Sequence, residues 1–145
     1  MHIFFDVDYT ILGGDLSLRP GTREVFARLR DDGHLVYVWS GEGERWEVVR
    51  QHGLEELVSG VFAKPLHDYE NRLVEFGIPV VPDFVIDDYP DIVRAFGGVR
   101  IPYYYGRNYA RGRVDDELDA VYEIICVHAA GGVPDDPRYH ARAIP

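Results

Sequence analysis

Apolar residues come in short continuous runs that alternate with stretches of helical spacing. His2-Ile3-Phe4-Phe5 leads into Asp6-Val7-Asp8-Tyr9-Thr10. From Thr22 to Arg30, Val25, Phe26 and Leu29 share one helical face, and Gly33 stops it. His34 to Trp39 is a second apolar run, followed by Ser40-Gly41-Glu42-Gly43 and a helical pattern reaching about His52. Val61-Phe62-Ala63 is a third run, closed by Lys64-Pro65. Tyr69, Leu73 and Phe76 then fall on one stripe before Gly77. Asp83 to Ile86 is a fourth run ending in Asp87-Asp88. Pro90 opens a short helix with Ile92, Val93 and Phe96. Val99 to Tyr103 reads as a fifth strand, and Leu118, Val121, Tyr122 and Ile125 as a last helix capped by Asp115.

Buried strands alternating with helices over short connections predict an α/β fold: a three-layer, Rossmann-like arrangement with a five-stranded parallel sheet and helices on both faces. Residues 1–130 are expected to form one domain. The Pro-punctuated stretch 131–145 reads as a loose C-terminal tail. Gly13 to Gly21 is long enough for a hairpin-like flap around Leu16-Ser17-Leu18, not for an inserted domain.

Composition narrows the class. With 145 residues, 46% of them hydrophobic, there is enough chain for one buried core. A formal net charge of −10 disfavours non-specific attraction to nucleic-acid backbones or anionic membranes. Cys126 is the single cysteine, so an intrachain disulfide is excluded. No apolar run reaches the roughly 20 residues of a membrane span, and the chain starts on a strand, so a cytoplasmic protein is expected. The six histidines show no paired zinc-ligand spacing.

In parallel sheets ligands bind beyond the carboxyl ends of the strands, and the polar residues gather there. Asp6, Asp8 and Thr10 leave the first strand, Ser40 the second, Lys64 the third, and Asp87 and Asp88 the fourth. Each has an ordinary structural use as cap, turn or solvated surface; four strand ends converging on one rim argue for a site. Three or four carboxylates with one lysine and two hydroxyls suit a hard cation, magnesium best. Around a phosphate ester, Asp6 could attack phosphorus. Asp8, its acidity tuned by its neighbour, could carry the proton. Lys64 would neutralise phosphoryl oxygens. Ser40 and the Gly41 amide would hydrogen-bond them, and Asp87 and Asp88 would complete the metal shell with Asp6.

Asp6-Val7-Asp8-Tyr9-Thr10, Ser40 after Val-Tyr-Val-Trp, Lys64 and Ile86-Asp87-Asp88 resemble the four ordered motifs of the haloacid dehalogenase superfamily, over about residues 2 to 105. The resemblance implies a capless, magnesium-dependent phosphatase with Asp6 as nucleophile. Asp8 would be the general acid/base, offering its backbone carbonyl to the metal, and Thr10 an orienting hydrogen bonder. Ser40 and Lys64 would bind phosphate, Asp87 would ligate magnesium, and Asp88 would support it directly or through water. Tyr9 departs from the pattern, since that position is commonly glycine; its ring could narrow the entrance or grip the leaving group. The segment Tyr103 to Arg113 adds aromatic rings and three guanidinium groups, Arg107, Arg111 and Arg113, that could stack a base or clamp a second phosphate. A solvated loop or a dimer contact would explain it equally.

The expected function is therefore phosphomonoester hydrolysis through an aspartyl-phosphate. The alternatives are a catalytically silent binding or regulatory protein on the same fold, and a receiver-type phosphoacceptor domain. The adjacent Asp87-Asp88 pair on the fourth strand speaks against the receiver. The partner expected is a phosphorylated substrate; a sugar phosphate, nucleotide, phosphoprotein or nucleic-acid end all fit, and a homo-oligomer could form.

Overall fold

The computed structural model describes residues 1–109 and 112–144. Its strands are β1 (His2–Asp6), β2 (Leu35–Ser40), β3 (Gly60–Ala63), β4 (Phe84–Asp87), β5 (Gly98–Arg100) and β6 (Tyr139–His140). Its helices are α1 (Thr22–Asp31), α2 (Trp46–Gln51), α3 (Pro90–Phe96) and α4 (Glu117–Ala129), with single 3-10 turns at Glu70–Arg72 and Arg107–Tyr109. One six-stranded sheet runs in the order β3-β2-β1-β4-β5-β6. The first five strands are parallel and β6 is antiparallel to β5.

Alternation within the strands builds two cores. Ile3 and Phe5 of β1, Val36 and Val38 of β2, and Phe84 and Ile86 of β4 face one side. They pack with Val25, Phe26 and Leu29 of α1, Val48 and Val49 of α2, and Leu118, Val121 and Ile125 of α4. Phe4, Tyr37, Trp39 and Val85 face the other, against Ile92, Val93 and Phe96 of α3 together with Leu73 and Ile78. A side-chain period of two feeding two apolar layers explains why the strands read as continuous apolar runs.

The all-parallel five-stranded expectation is corrected by β6. The 131–145 stretch is not wholly loose: Tyr139 pairs with Val99 and His140 with Gly98. Tyr139 stacks against Phe84 and its hydroxyl lies 3.1 Å from His128 Nδ1. One aromatic residue carries no periodicity, so the strand left no pattern. The fifth strand is shorter than expected because Pro102, which has no N–H, follows closely. The Tyr69-Leu73-Phe76 stripe does face the core, but the backbone there holds only one 3-10 turn, opened by Asp68 at a φ of 49°. Val74 on its outer side is 87% exposed, so little packing supports a longer helix. The flap is hairpin-like: Leu12 bridges Leu18, and Gly13 N–H donates to the Ser17 carbonyl at 2.9 Å. Among the described residues no helix is long and apolar enough to cross a membrane.

If β6 belongs to the cooperative unit, Tyr139→Ala costs about 2 kcal/mol through lost aromatic packing. Urea denaturation checks this; an unchanged midpoint would leave the last 15 residues outside the folded unit.

Candidate functional site

Parallel pairing brings the carboxyl ends of β1, β2, β3 and β4 to one rim, with Asp6 opposite Trp39 and Ser40 opposite Ala63. Beyond β1 the chain wraps round a single carbonyl: Val7 O accepts from the amides of Thr10, Ile11 and Leu12 at 3.0 to 3.2 Å. The tight loop folds Thr10 back, and its hydroxyl donates to Asp6 Oδ2 at 3.2 Å. The same curl places Tyr9 at a φ of 62°.

Lys64, one residue past β3, is anchored by its amide on the Ser40 carbonyl. Its ammonium donates to Asp6 Oδ1 at 2.9 Å and to Asp87 Oδ2 at 2.8 Å. Asp87 Oδ1 accepts the Tyr89 amide at 2.9 Å. Asp6, Asp87 and Asp88 can each turn one carboxylate oxygen to within 4.8 Å of the others. Asp6 is 5% exposed and Asp87 fully buried.

Burial, then the charge of Asp87, lifts the Asp6 carboxyl well above the ordinary carboxylate range, with Lys64 pulling it back. Asp87 is pushed up to about 6 by burial, against Lys64 and the Tyr89 amide. Burial opposes the charge on Lys64, but Asp6 and Asp87 outweigh it and raise the ammonium. Asp88 beside the Tyr103 phenol raises that group. One ammonium is shared by two buried carboxylates, with a third at hand, so the cluster is short of positive charge. An all-oxygen acidic donor set is what a hard divalent cation takes, and magnesium fits the residues present.

Asp8 lies apart from this trio. Its Oδ2 accepts from Ser40 Oγ at 3.2 Å and from Arg45 Nη1 at 2.6 Å. Ser40 Oγ in turn accepts the Glu42 amide at 3.1 Å. Arg45, also paired with Glu47, was not singled out from the sequence. It lies within the stretch of helical pattern, but α2 begins only at Trp46 and leaves Arg45 at its edge, in contact with Asp8. A basic residue amid Glu42, Glu44 and Glu47 was the one available signal.

Asp6, Asp8, Tyr9, Ser40, Gly41, Lys64, Asp87 and Asp88 all line one cleft of about 360 Å³. Thr10 is buried behind Asp6. Glu42, Pro65, Leu66, Tyr69, Tyr89 and Ile92 complete the lining and were not anticipated. Arg107 is not brought in: it lines a separate hollow with Asp15, Leu16, Arg23 and His52, and its amide donates to Ser17 Oγ. Arg113 lines another hollow with Tyr109 and Glu117. Arg111 lies outside the described residues.

Comparison of the chain with protein-family models, with curated proteins and with solved structures returns no match.

Carboxyls with pKa values raised by folding bind protons preferentially in the fold. Their contribution to stability is whole below about pH 4 and, for Asp87, is lost as the pH rises through about 6. Removing Lys64 exaggerates this. In chelator, Lys64→Met is expected to lose about 3 kcal/mol at pH 8, recovering much of it at pH 5 or with Asp87→Asn added. Magnesium should raise the Tm of the unsubstituted chain more at pH 7.5 than at pH 5, since the ion competes with protons for the same oxygens. Urea and thermal melts at the two pH values measure both; a pH-independent Lys64→Met loss would mean that packing, not charge, holds the site.

Proposed function

We propose that the chain is a phosphomonoester hydrolase, dependent on a divalent cation with magnesium preferred, that works through an aspartyl-phosphate on Asp6. The observation that carries this reading is Asp6 itself. It is buried at the floor of an open cleft, fixed through one oxygen by Lys64 and through the other by Thr10, with Asp87 and Asp88 beside it and Asp8 two residues on. A carboxylate held so firmly at a cleft floor is oriented to attack, and Lys64 favours its anion against burial and the charge of Asp87.

The residues divide the work. An Asp6 oxygen forms a bond to phosphorus as the bond from phosphorus to the leaving oxygen breaks, and protonated Asp8 gives its proton to that oxygen. Asp8, now ionised, takes a proton from the incoming water. Water oxygen bonds to phosphorus, the acyl-phosphate bond breaks, and inorganic phosphate leaves with Asp6 restored. Lys64 and the Gly41 segment supply positive charge and donors to the phosphoryl oxygens. Asp6, Asp87 and Asp88 would hold the cation, which neutralises the crowded carboxylates and the phosphoryl charge. The strand order, helices on both faces, short flap and absence of an inserted domain among the described residues support a capless, Rossmann-like core resembling the haloacid dehalogenase superfamily.

The contact of Arg45 with Asp8 Oδ2 favours a second reading, a protein that binds phosphate without turning it over, because the guanidinium occupies a carboxylate oxygen that a proton carrier would turn to the leaving group. A single assay separates the two. With p-nitrophenyl phosphate and magnesium, turnover is expected in the unsubstituted chain and should fall about a thousandfold in Asp6→Asn. That variant should keep its Tm, since Lys64 retains Asp87. Turnover that survives Asp6→Asn rules out the nucleophile; no turnover in the unsubstituted chain selects the binding reading.

A further inference from the structure

We propose that the cleft selects a monophosphate whose leaving group is small, neutral and ring-bearing, an aryl or nucleoside monophosphate, with Tyr9 and Tyr89 as the residues that grip the ring. The proposal rests on the phosphomonoester reading and adds what lies on the other side of the scissile bond.

The cleft has two chemistries. Its floor holds the carboxylates, Ser40 and Lys64; Tyr9, Leu66, Tyr69 and Tyr89 line its walls together with Pro65, Ile92 and the single charge of Glu42. Tyr9 remains 42% exposed, Leu66 65% and Tyr89 52%, so a large apolar surface faces solvent beside a buried charged floor. A volume of about 360 Å³ suits a small ligand, near the lower end of the usual range of about 300 to 1,000 Å³. Aromatic rings bordering such a space recognise planar faces.

The Tyr9 side of the wall is held in place. The Tyr9 ring stacks on Tyr103 at 5.6 Å, and the Tyr9 carbonyl accepts the Tyr104 amide at 2.8 Å. Gly14 N–H donates to the Tyr105 carbonyl at 2.9 Å, and Asp15 accepts from the amides of Ser17 and Asn108. Flap and loop cross so closely that a Cβ on Gly13 would lie 2.5 Å from Gly106 Cα. A wall fixed before binding loses little entropy when a ring docks.

Charge decides against larger or more highly phosphorylated substrates. Among the described residues Lys64 is the one basic side chain lining the cleft, against Asp6, Asp8, Glu42, Asp87 and Asp88, and Arg45 beside the cleft is already paired with Asp8 and Glu47. A second phosphate would meet Glu42 without a cation of its own. A polynucleotide needs a basic track along its backbone, and Arg107 and Arg113 line other hollows.

The test reads binding and turnover separately. Calorimetry with magnesium compares phenylphosphonate with methylphosphonate, neither of which can be hydrolysed. Phenylphosphonate should bind about tenfold more tightly. Tyr9→Gly and Tyr89→Ala should each remove most of that preference. Tyr9→Gly is the cleaner variant, since glycine accepts a φ of 62° without strain and the fold is kept. Equal affinities, failure of both phosphonates to bind, a preference untouched by both substitutions, or tighter binding of a 5′-phosphorylated oligonucleotide would each overturn the proposal. Preference for phenylphosphonate without p-nitrophenyl phosphate turnover keeps the ring subsite and removes the hydrolase reading. Turnover without ring preference does the reverse.

Discussion

The site is organised by one ammonium shared between two buried carboxylates. Asp6 ends β1 and Asp87 ends the adjacent β4, so parallel pairing forces their side chains toward one another at the rim. Two carboxylates there repel and are poorly solvated, which is costly unless a cation intervenes. Lys64, arriving from β3 two strands away, supplies it at 2.9 and 2.8 Å. The sheet order β3-β2-β1-β4 thus appears again as an electrostatic requirement: the ammonium must span the ends of β2 and β1 to reach β4. One positive charge against Asp6, Asp87 and Asp88 still leaves a deficit, and that deficit is the physical opening for a divalent ion.

A second buried cation holds the frame that this pair needs. Arg19 is 1% exposed; it donates to the carbonyls of Thr10 and Pro102 and pairs with Asp115 at 3.1 Å. It therefore ties the loop after β1 to the segment after β5 and to the start of α4. Thr10, whose hydroxyl steadies Asp6, is fixed from behind by the same guanidinium. Removing Arg19 would leave Asp115 and two carbonyls unpaired. Its role is positioning, and nothing in an Arg-Pro-Gly turn signal indicated burial.

What the sequence made legible follows from what is local. Apolar runs ending in polar residues located the five parallel strands and the rim residues Asp6, Asp8, Ser40, Lys64, Asp87 and Asp88, because a strand's end and its side-chain alternation are encoded in neighbouring positions. The metal-competent trio Asp6, Asp87 and Asp88 was legible at the strand ends, while the Asp8 carboxylate is gathered by Ser40 and Arg45. What escaped depends on distant partners. β6 exists because Tyr139 finds Phe84 and His128, and Arg45 reaches Asp8 only because α2 starts late. Arg107 shows the converse: a basic residue in an aromatic stretch suggested a place at the cleft, but its amide is engaged by the flap's Ser17 and it lines another hollow.

Tyr9 shows how local cost and distant benefit meet in one residue. A left-handed φ of 62° is unfavourable for any L side chain by about 1 kcal/mol, and glycine would carry it freely. The curl round the Val7 carbonyl imposes that φ, because it is what returns the Thr10 hydroxyl to Asp6. Leu16 and Asp68 share the conformation, so strain alone singles out nothing. Tyr9 differs in its surroundings: its carbonyl accepts the Tyr104 amide, its ring stacks on Tyr103, and it lines the same cleft as Asp6. The loop that orients Asp6 therefore also sets an aromatic ring at the mouth. Orientation of Asp6 and placement of an aromatic ring at the cleft mouth are two consequences of a single turn.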